Sequence, residues 1–232
     1  MKTSRLIATL VTGSLLGLTP TALAAPAQAT ENLTTVTTLE VAYGEPTVEY
    51  GETVAIRGSV QATNGVTTTS AYYGTVTLYA ASSKNPAWVP IATATAGGYV
   101  SFPDVKPESN TSYKAVYSGY AATNTAQNNY APSESAPLSV GVQRKVTYKI
   151  ASRKLIVSGK VTPEFSKKKI LVHTAKKNNG NWKKYKTIKT NKKGKFKVRF
   201  YAKTGQTLYF LLTVKGDAHY TGWSQAYYTT RY

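Results

Sequence analysis

The stretch Trp182–Phe200, WKKYKTIKTNKKGKFKVRF, joins a cation-rich segment to a strict alternation. From Lys195 the order is Lys195, Phe196, Lys197, Val198, Arg199, Phe200. A period of two places the cations on one side of an extended strand and the apolar residues on the other. Asn191-Lys192-Lys193-Gly194 has the composition of a hairpin turn, with Gly194 at the position that takes positive φ. A strand that is apolar on one side must bury that side against another layer. Phe196, Val198 and Phe200 are therefore expected in a core. Lys195, Lys197 and Arg199 form an outward row spaced ~6.6–6.8 Å apart, from a rise of ~3.3–3.4 Å per residue.

The same hairpin recurs upstream with almost no cations, as WVPIATATAGGYVSF from Trp88. Other blocks repeat in the same order. VAIRGSV (Val54–Val60) matches LIVSGKV (Leu155–Val161), and GTVTLYA (Gly74–Ala80) matches KILVHTA (Lys169–Ala175). SYKAVYSGY from Ser112 matches LYFLLTVKGDAHY from Leu208, and APSESA matches TGWSQA. Tandem units follow, over residues 30–143 and 144–232, with a short linker near Val142–Lys145 that permits little swing. Helical periodicity is missing, and Thr, Val and Tyr dominate short alternating runs between Gly, Asn, Pro and Ser clusters. The expected class is all-β, with about seven strands per unit.

The blocks Gly159-Lys160-Val161, Ile170-Leu171-Val172, Trp182, Gly194-Lys195-Phe196 and Tyr209 through Tyr220 resemble the bacterial Ig-like repeats of secreted actinobacterial and other Gram-positive proteins. The resemblance covers essentially the whole chain after residue 29. It implies two tandem immunoglobulin-like β-sandwiches serving as spacer, adhesin stalk or binding module. Within such a fold, Trp88 and Trp182 are expected to add core bulk, with a sugar-stacking role as the alternative. Tyr113 and Tyr209 are candidates for the tyrosine corner.

Residues 1–29 read as a secretory signal peptide. Lys2 and Arg5 precede the apolar run Leu6–Leu18, and Ala27-Gln28-Ala29 supplies the favoured cleavage site ahead of Ala22-Leu23-Ala24. The expected location is extracellular, with the protein released or held at the cell wall by non-covalent contacts. The chain has no cysteine, which excludes disulfides, thiolate metal sites and cysteine nucleophiles.

Catalytic constellations are thin. His219 with Asp217 is expected to be a solvated loop pair, and a glycosidase site in the second unit would need both of its carboxylates, Glu164 and Asp217. Glu40, Glu45, Glu49 and Glu52 cluster without calcium-loop spacing and read as solvated turn charges. No phosphate loop, nucleophile elbow or zinc-protease motif occurs. The expectation is a non-enzyme without a cofactor.

Charge is the strong signal. Residues 30–143 carry four basic and eight acidic side chains, whereas residues 144–232 carry 19 Lys and four Arg against two carboxylates, a net of +21. Solubility of a small domain needs a magnitude of only about 2–8. Lysine is a hydrated point charge, so this excess favours diffuse attraction over geometric recognition. The candidate polyanion-binding residues are Lys167, Lys168, Lys169, Lys183, Lys184, Lys186, Lys192, Lys193, Lys195, Lys197 and Arg199. The partner class is an anionic cell-wall polymer or glycan, with non-specific nucleic acid as another polyanion. The alternative is an adhesin or surface-assembly subunit. It would recognise a protein or glycan through loop Tyr, Trp and Asn residues in Thr67–Tyr73 or Thr123–Tyr130.

Overall fold

The computed structural model describes residues 31–177 and 181–231, so the signal-peptide reading of residues 1–29 lies outside it. The described residues are all-β apart from one short 3-10 turn, Ser152–Lys154. The N-terminal half contains β1 (Asn32–Val41), β2 (Thr47–Glu49), β3 (Val54–Thr63), β4 (Thr68–Ser70), β5 (Thr75–Ser82) and β6 (Val89–Thr95). It continues with β7 (Tyr99–Val105), β8 (Thr111–Tyr117), β9 (Asn129–Tyr130), β10 (Ser133–Glu134) and β11 (Leu138–Gln143). The C-terminal half contains β12 (Lys145–Ala151), β13 (Ile156–Thr162), β14 (Lys169–Ala175), β15 (Lys183–Lys189), β16 (Lys195–Arg199), β17 (Thr207–Val214) and β18 (Trp223–Thr230).

Both halves use one pairing scheme. In the first, β3 pairs with β1 and β7, while β5 pairs with β6 and β8, and β8 with β11. In the second, β13 pairs with β12 and β16, while β14 pairs with β15 and β17, and β17 with β18. The C-terminal half has the seven strands expected; the first half adds the short strands β2, β4, β9 and β10.

Alternation builds the cores. Apolar side chains from both sheets of the N-terminal half meet in one cluster around Ile56, Leu78, Tyr113 and Tyr117. Those of the C-terminal half meet around Val157, Val172, Phe200, Phe210 and Leu212. Phe196, Val198 and Phe200 are all buried there. A chain of rings crosses this second core, Tyr185–Phe200–Phe210–Tyr227–Tyr148, with successive centroids 5.2, 4.9, 5.4 and 4.4 Å apart. Such contacts add about 0.5–1.5 kcal/mol each beyond area burial.

Three expectations are corrected. Trp88 is 39% exposed and Trp182 half-buried, so neither belongs to a core. Each precedes an edge strand, and the interior volume is filled by Tyr113 and Tyr117 or by Phe200 and Phe210. Tyr209 is no tyrosine corner: it lies on the outward side of β17 beside Tyr228, centroids 6.1 Å apart. Tyr113 is buried, and burial pushes its hydroxyl up to about 12. The tyrosine that ties strand to distant backbone is Tyr117, whose hydroxyl donates to the Tyr73 carbonyl at 2.5 Å. The third correction concerns register. Val76 and Leu78 point inward in β5, but Ile170 and Val172 do so in β14, one residue off the sequence alignment of those blocks. A one-residue slip exchanges faces.

Gly194 has φ of +72°, and a Cβ there would sit 2.5 Å from the Val161 carbonyl oxygen. Gly194→Ala is expected to cost about 1–2 kcal/mol from the left-handed backbone alone. A urea-unfolding midpoint equal to the parent's would contradict this.

Candidate functional site: a cationic pair of sheet edges

The eleven candidate cations are distributed along β15 and β16, at the start of β14 and in the turns beside them. β16 is the outer strand of the three-stranded sheet β12-β13-β16, and β15 the outer strand of the four-stranded sheet β15-β14-β17-β18. Lys195, Lys197 and Arg199 project from the outward side of β16, alternating with buried Phe196 and Val198. Lys183, Lys184 and Lys186 are exposed on β15. A register shift between Val172 and His173 interrupts the β14–β15 ladder opposite Tyr185. The Tyr185 ring packs against Phe200, and its hydroxyl donates to the Arg199 carbonyl at 3.0 Å. This contact seals the seam between the two sheets.

Lys192 and Lys193 occupy the turn between β15 and β16, which joins edge strands of two different sheets and so is not the hairpin expected. In it the Asn191 side chain accepts from the Lys193 and Lys195 N–H groups. Lys167 and Lys168 lie in the turn before β14, Lys167 with φ of +54°. That turn is bound to the end of β15 by buried Thr190, which donates to the Phe165 carbonyl and accepts from the Lys168 N–H. Lys169 opens β14 directly opposite Lys189. The cations therefore wrap around one side of the C-terminal half, over both edges and their turns. A single flat face would have held only the β16 row.

Both carboxylates of this half are engaged elsewhere. Asp217 pairs with Arg144 at 2.6 Å, and Glu164 with Lys84 at 2.6 Å. Among the described residues, the cations after residue 143 that form ion pairs are Arg144 and Lys145, the latter with Glu49 at 2.8 Å. Lys84 holds the Glu164 carboxyl below its ordinary range.

Lys84–Glu164 and Glu49–Lys145 cross between the halves, and with Arg144–Asp217 beside them in the second half they form a joint that the sequence did not disclose. The expected solvated pair Asp217–His219 is part of it. The His219 Nδ1 lies 3.1 Å from the Ser83 hydroxyl, and the His219 carbonyl accepts from the Asn110 N–H. Tyr220 is fully buried, with the Arg144 guanidinium 4.2 Å from its ring centroid and the Tyr50 ring 6.5 Å away. The Thr221 N–H donates to the Val142 carbonyl.

Of the expected acidic cluster, Glu40 pairs with Arg57 and Glu49 with Lys145, while the Glu52 carboxylate accepts from the Glu49 N–H. Among the described residues no group of three or more His, Cys, Asp or Glu could hold a metal ion. No described helix is long and apolar enough to cross a membrane.

No protein-family model and no curated protein sequence matches the chain. Among solved structures it is similar to the FN1–FN3 domains of chicken CNTN1, at 9% identity and a TM-score of 0.29, covering 87% of this chain and 67% of that one. It is also similar to native alpha-2-macroglobulin from Escherichia coli spanning domains NIE–MG1, at 8% identity and a TM-score of 0.27, covering 82% and 96%. Superpositions this loose carry no argument about function. The described residues form an all-β structure whose C-terminal half carries 23 cations against two carboxylates.

Proposed function

We propose that the protein is an exported pair of Ig-like β-sandwich domains, divided at residues 143/144, whose basic C-terminal domain holds an anionic polymer of the cell envelope along β15, β16 and their turns. One observation carries this reading. Glu164 and Asp217, the carboxylates of the basic half, are both engaged at the joint, leaving the edge lysines without an internal counter-charge. Such a surface attracts a polyanion by releasing its counterions, with little demand on ligand geometry.

The test is binding of the chain from residue 30 onward to purified cell walls across a salt series. Six contacts imply a slope of log K against log salt of about −4 to −5, at ~0.7–0.9 per contact. Retention that ignores salt, or no retention at low salt, would reject the reading.

A second reading draws on the aromatic tip of the first half. The loops considered for adhesion meet there, with Tyr73 stacked on Tyr120 at 4.7 Å and the Tyr120 hydroxyl donating to Gln127 at 2.7 Å. Salt-insensitive binding to a glycan or host protein, lost in Tyr73→Ala, would favour it.

A further inference from the structure

We infer that the outward face of β12-β13-β16 contains a defined site for one phosphodiester group of a polyol-phosphate chain. This rests on the polyanion reading and locates its best-built contact.

The register brings Thr147, Lys160 and Lys195 into one cross-strand row and Lys149, Ser158 and Lys197 into the next. Between them a concavity of about 350 Å³ opens over the backbone of the Tyr148–Gly159–Phe196 row. Lys149, Lys160 and Lys195, with Thr147 and Ser158, are among its lining residues, beside Tyr148, Gly159 and Phe196. None of those lysines is in an ion pair among the described residues. Lys160 and Lys195 are directly opposite, an arrangement that destabilises a sheet unless an anion lies between them.

The N-terminal half shows the same face in neutralised form. There Thr38 and Ser59 share a hydrogen bond at 2.9 Å, and Arg57 pairs with Glu40 at 2.6 Å. The pairing scheme places Lys149 where Glu40 stands, Ser158 where Arg57 stands and Lys160 where Ser59 stands. Lys195 takes the place of Tyr99. The C-terminal copy keeps the fold and removes the internal counter-charge.

The donor set fits a tetrahedral oxyanion. Three point-charge ammoniums and two hydroxyls can surround several oxygens, whereas a carboxylate presents two oxygens in one plane. Nucleic acid fits less well. Single-strand binders stack bases on aromatic side chains; the outward positions here are Thr, Lys, Ser, Ile, Ala and Arg, and the exposed ring that lines the concavity, Tyr148, already packs against Tyr227.

The test uses the chain from residue 30 with oligo(glycerol phosphate), poly-L-glutamate and oligothymidylate of equal charge. The double variant Lys149→Gln/Lys160→Gln is expected to weaken oligo(glycerol phosphate) binding at least ten-fold. The charge-matched Lys176→Gln/Lys177→Gln, away from the concavity, should weaken it no more than three-fold. Ser158→Ala should weaken it without altering net charge. Equal losses in the two double variants would overturn the site while leaving the general polyanion reading standing. Poly-L-glutamate bound as tightly as the phosphodiester, or oligothymidylate bound more tightly, would overturn the ligand class. Failure of the parent to bind any of the three would overturn the underlying reading as well.

Discussion

Arg144→Ala lowers the stability of the C-terminal half by about 1.5–3 kcal/mol, the scale for losing a hydrogen bond to a charged group, since its partner Asp217 is 43% exposed and is not left as a buried charge. Arg144 is 3% exposed although charged. Its Nε donates to the Pro163 carbonyl at 3.0 Å and its Nη2 to Asp217 at 2.6 Å, while its plane lies over Tyr220 and Phe165. Truncation removes all of these contacts and leaves a void between the rings. The Nη1 has no hydrogen-bond partner, so the residue also carries a desolvation penalty. Arg144→Met combined with Asp217→Asn should therefore cost less than Arg144→Ala alone, since methionine keeps packing between the rings and removes the desolvated charge. Urea unfolding followed by tryptophan fluorescence reads both variants, and a midpoint for Arg144→Ala equal to the parent's would refute the assignment. Acid gives an independent check. Burial pushes the Asp217 carboxyl up, but Arg144 and the N–H groups of His219 and Tyr220 outweigh it and hold it below its ordinary range. A carboxyl depressed on folding contributes stability above its unfolded pKa, and that contribution is lost as pH falls through the folded value. The midpoint should be level near neutrality and decline below about pH 4. Asp217→Asn should flatten the decline, leaving the part due to Glu164, which Lys84 depresses in the same sense.

Changing Lys183, Lys184, Lys186, Lys195 and Lys197 together to Gln is expected to weaken polyanion binding roughly 10²–10³-fold at physiological salt. The scale is about 1 kcal/mol per lysine near an anionic surface, reduced because neighbouring charges are not additive. The salt slope should fall by about 3–4. Stability should hold or rise, because mutual repulsion among the lysines opposes the compact state. The competing explanation is that lysine on an edge strand blocks pairing with other chains. If that were its whole purpose, the variant would aggregate while binding polyanion as before.

The alternating core was legible from the chain. Phe196, Val198 and Phe200 are buried, Gly194 takes positive φ, and the strand positions of the repeats follow from period-two patterning alone. Register was less legible, because KILVHTA has apolar residues at consecutive positions and admits either face until its neighbours decide. The joint was hidden for a different reason. Arg144 and Asp217 are 73 residues apart, and local sequence gives no sign that a charged pair will be covered by Tyr220. The available clue was scarcity: a half with 23 cations and two carboxylates must place those two carboxylates with care. The cations were equally easy to count. Their division over two sheets required knowing that β15 and β16, adjacent in sequence, are edges of different layers.

That division has a mechanical consequence. No strand ladder joins β15 to β16 among the described residues, and the Tyr185 contacts close the gap between them. A polymer lying along both strands is held by two layers at once, bridging from outside a boundary that backbone hydrogen bonding leaves open. Its occupancy would stabilise the folded state by RT ln(1 + L/Kd), where L is the free ligand concentration, a gain that grows with the logarithm of that concentration. An anchored molecule is then hardest to pry apart along the line by which it is anchored.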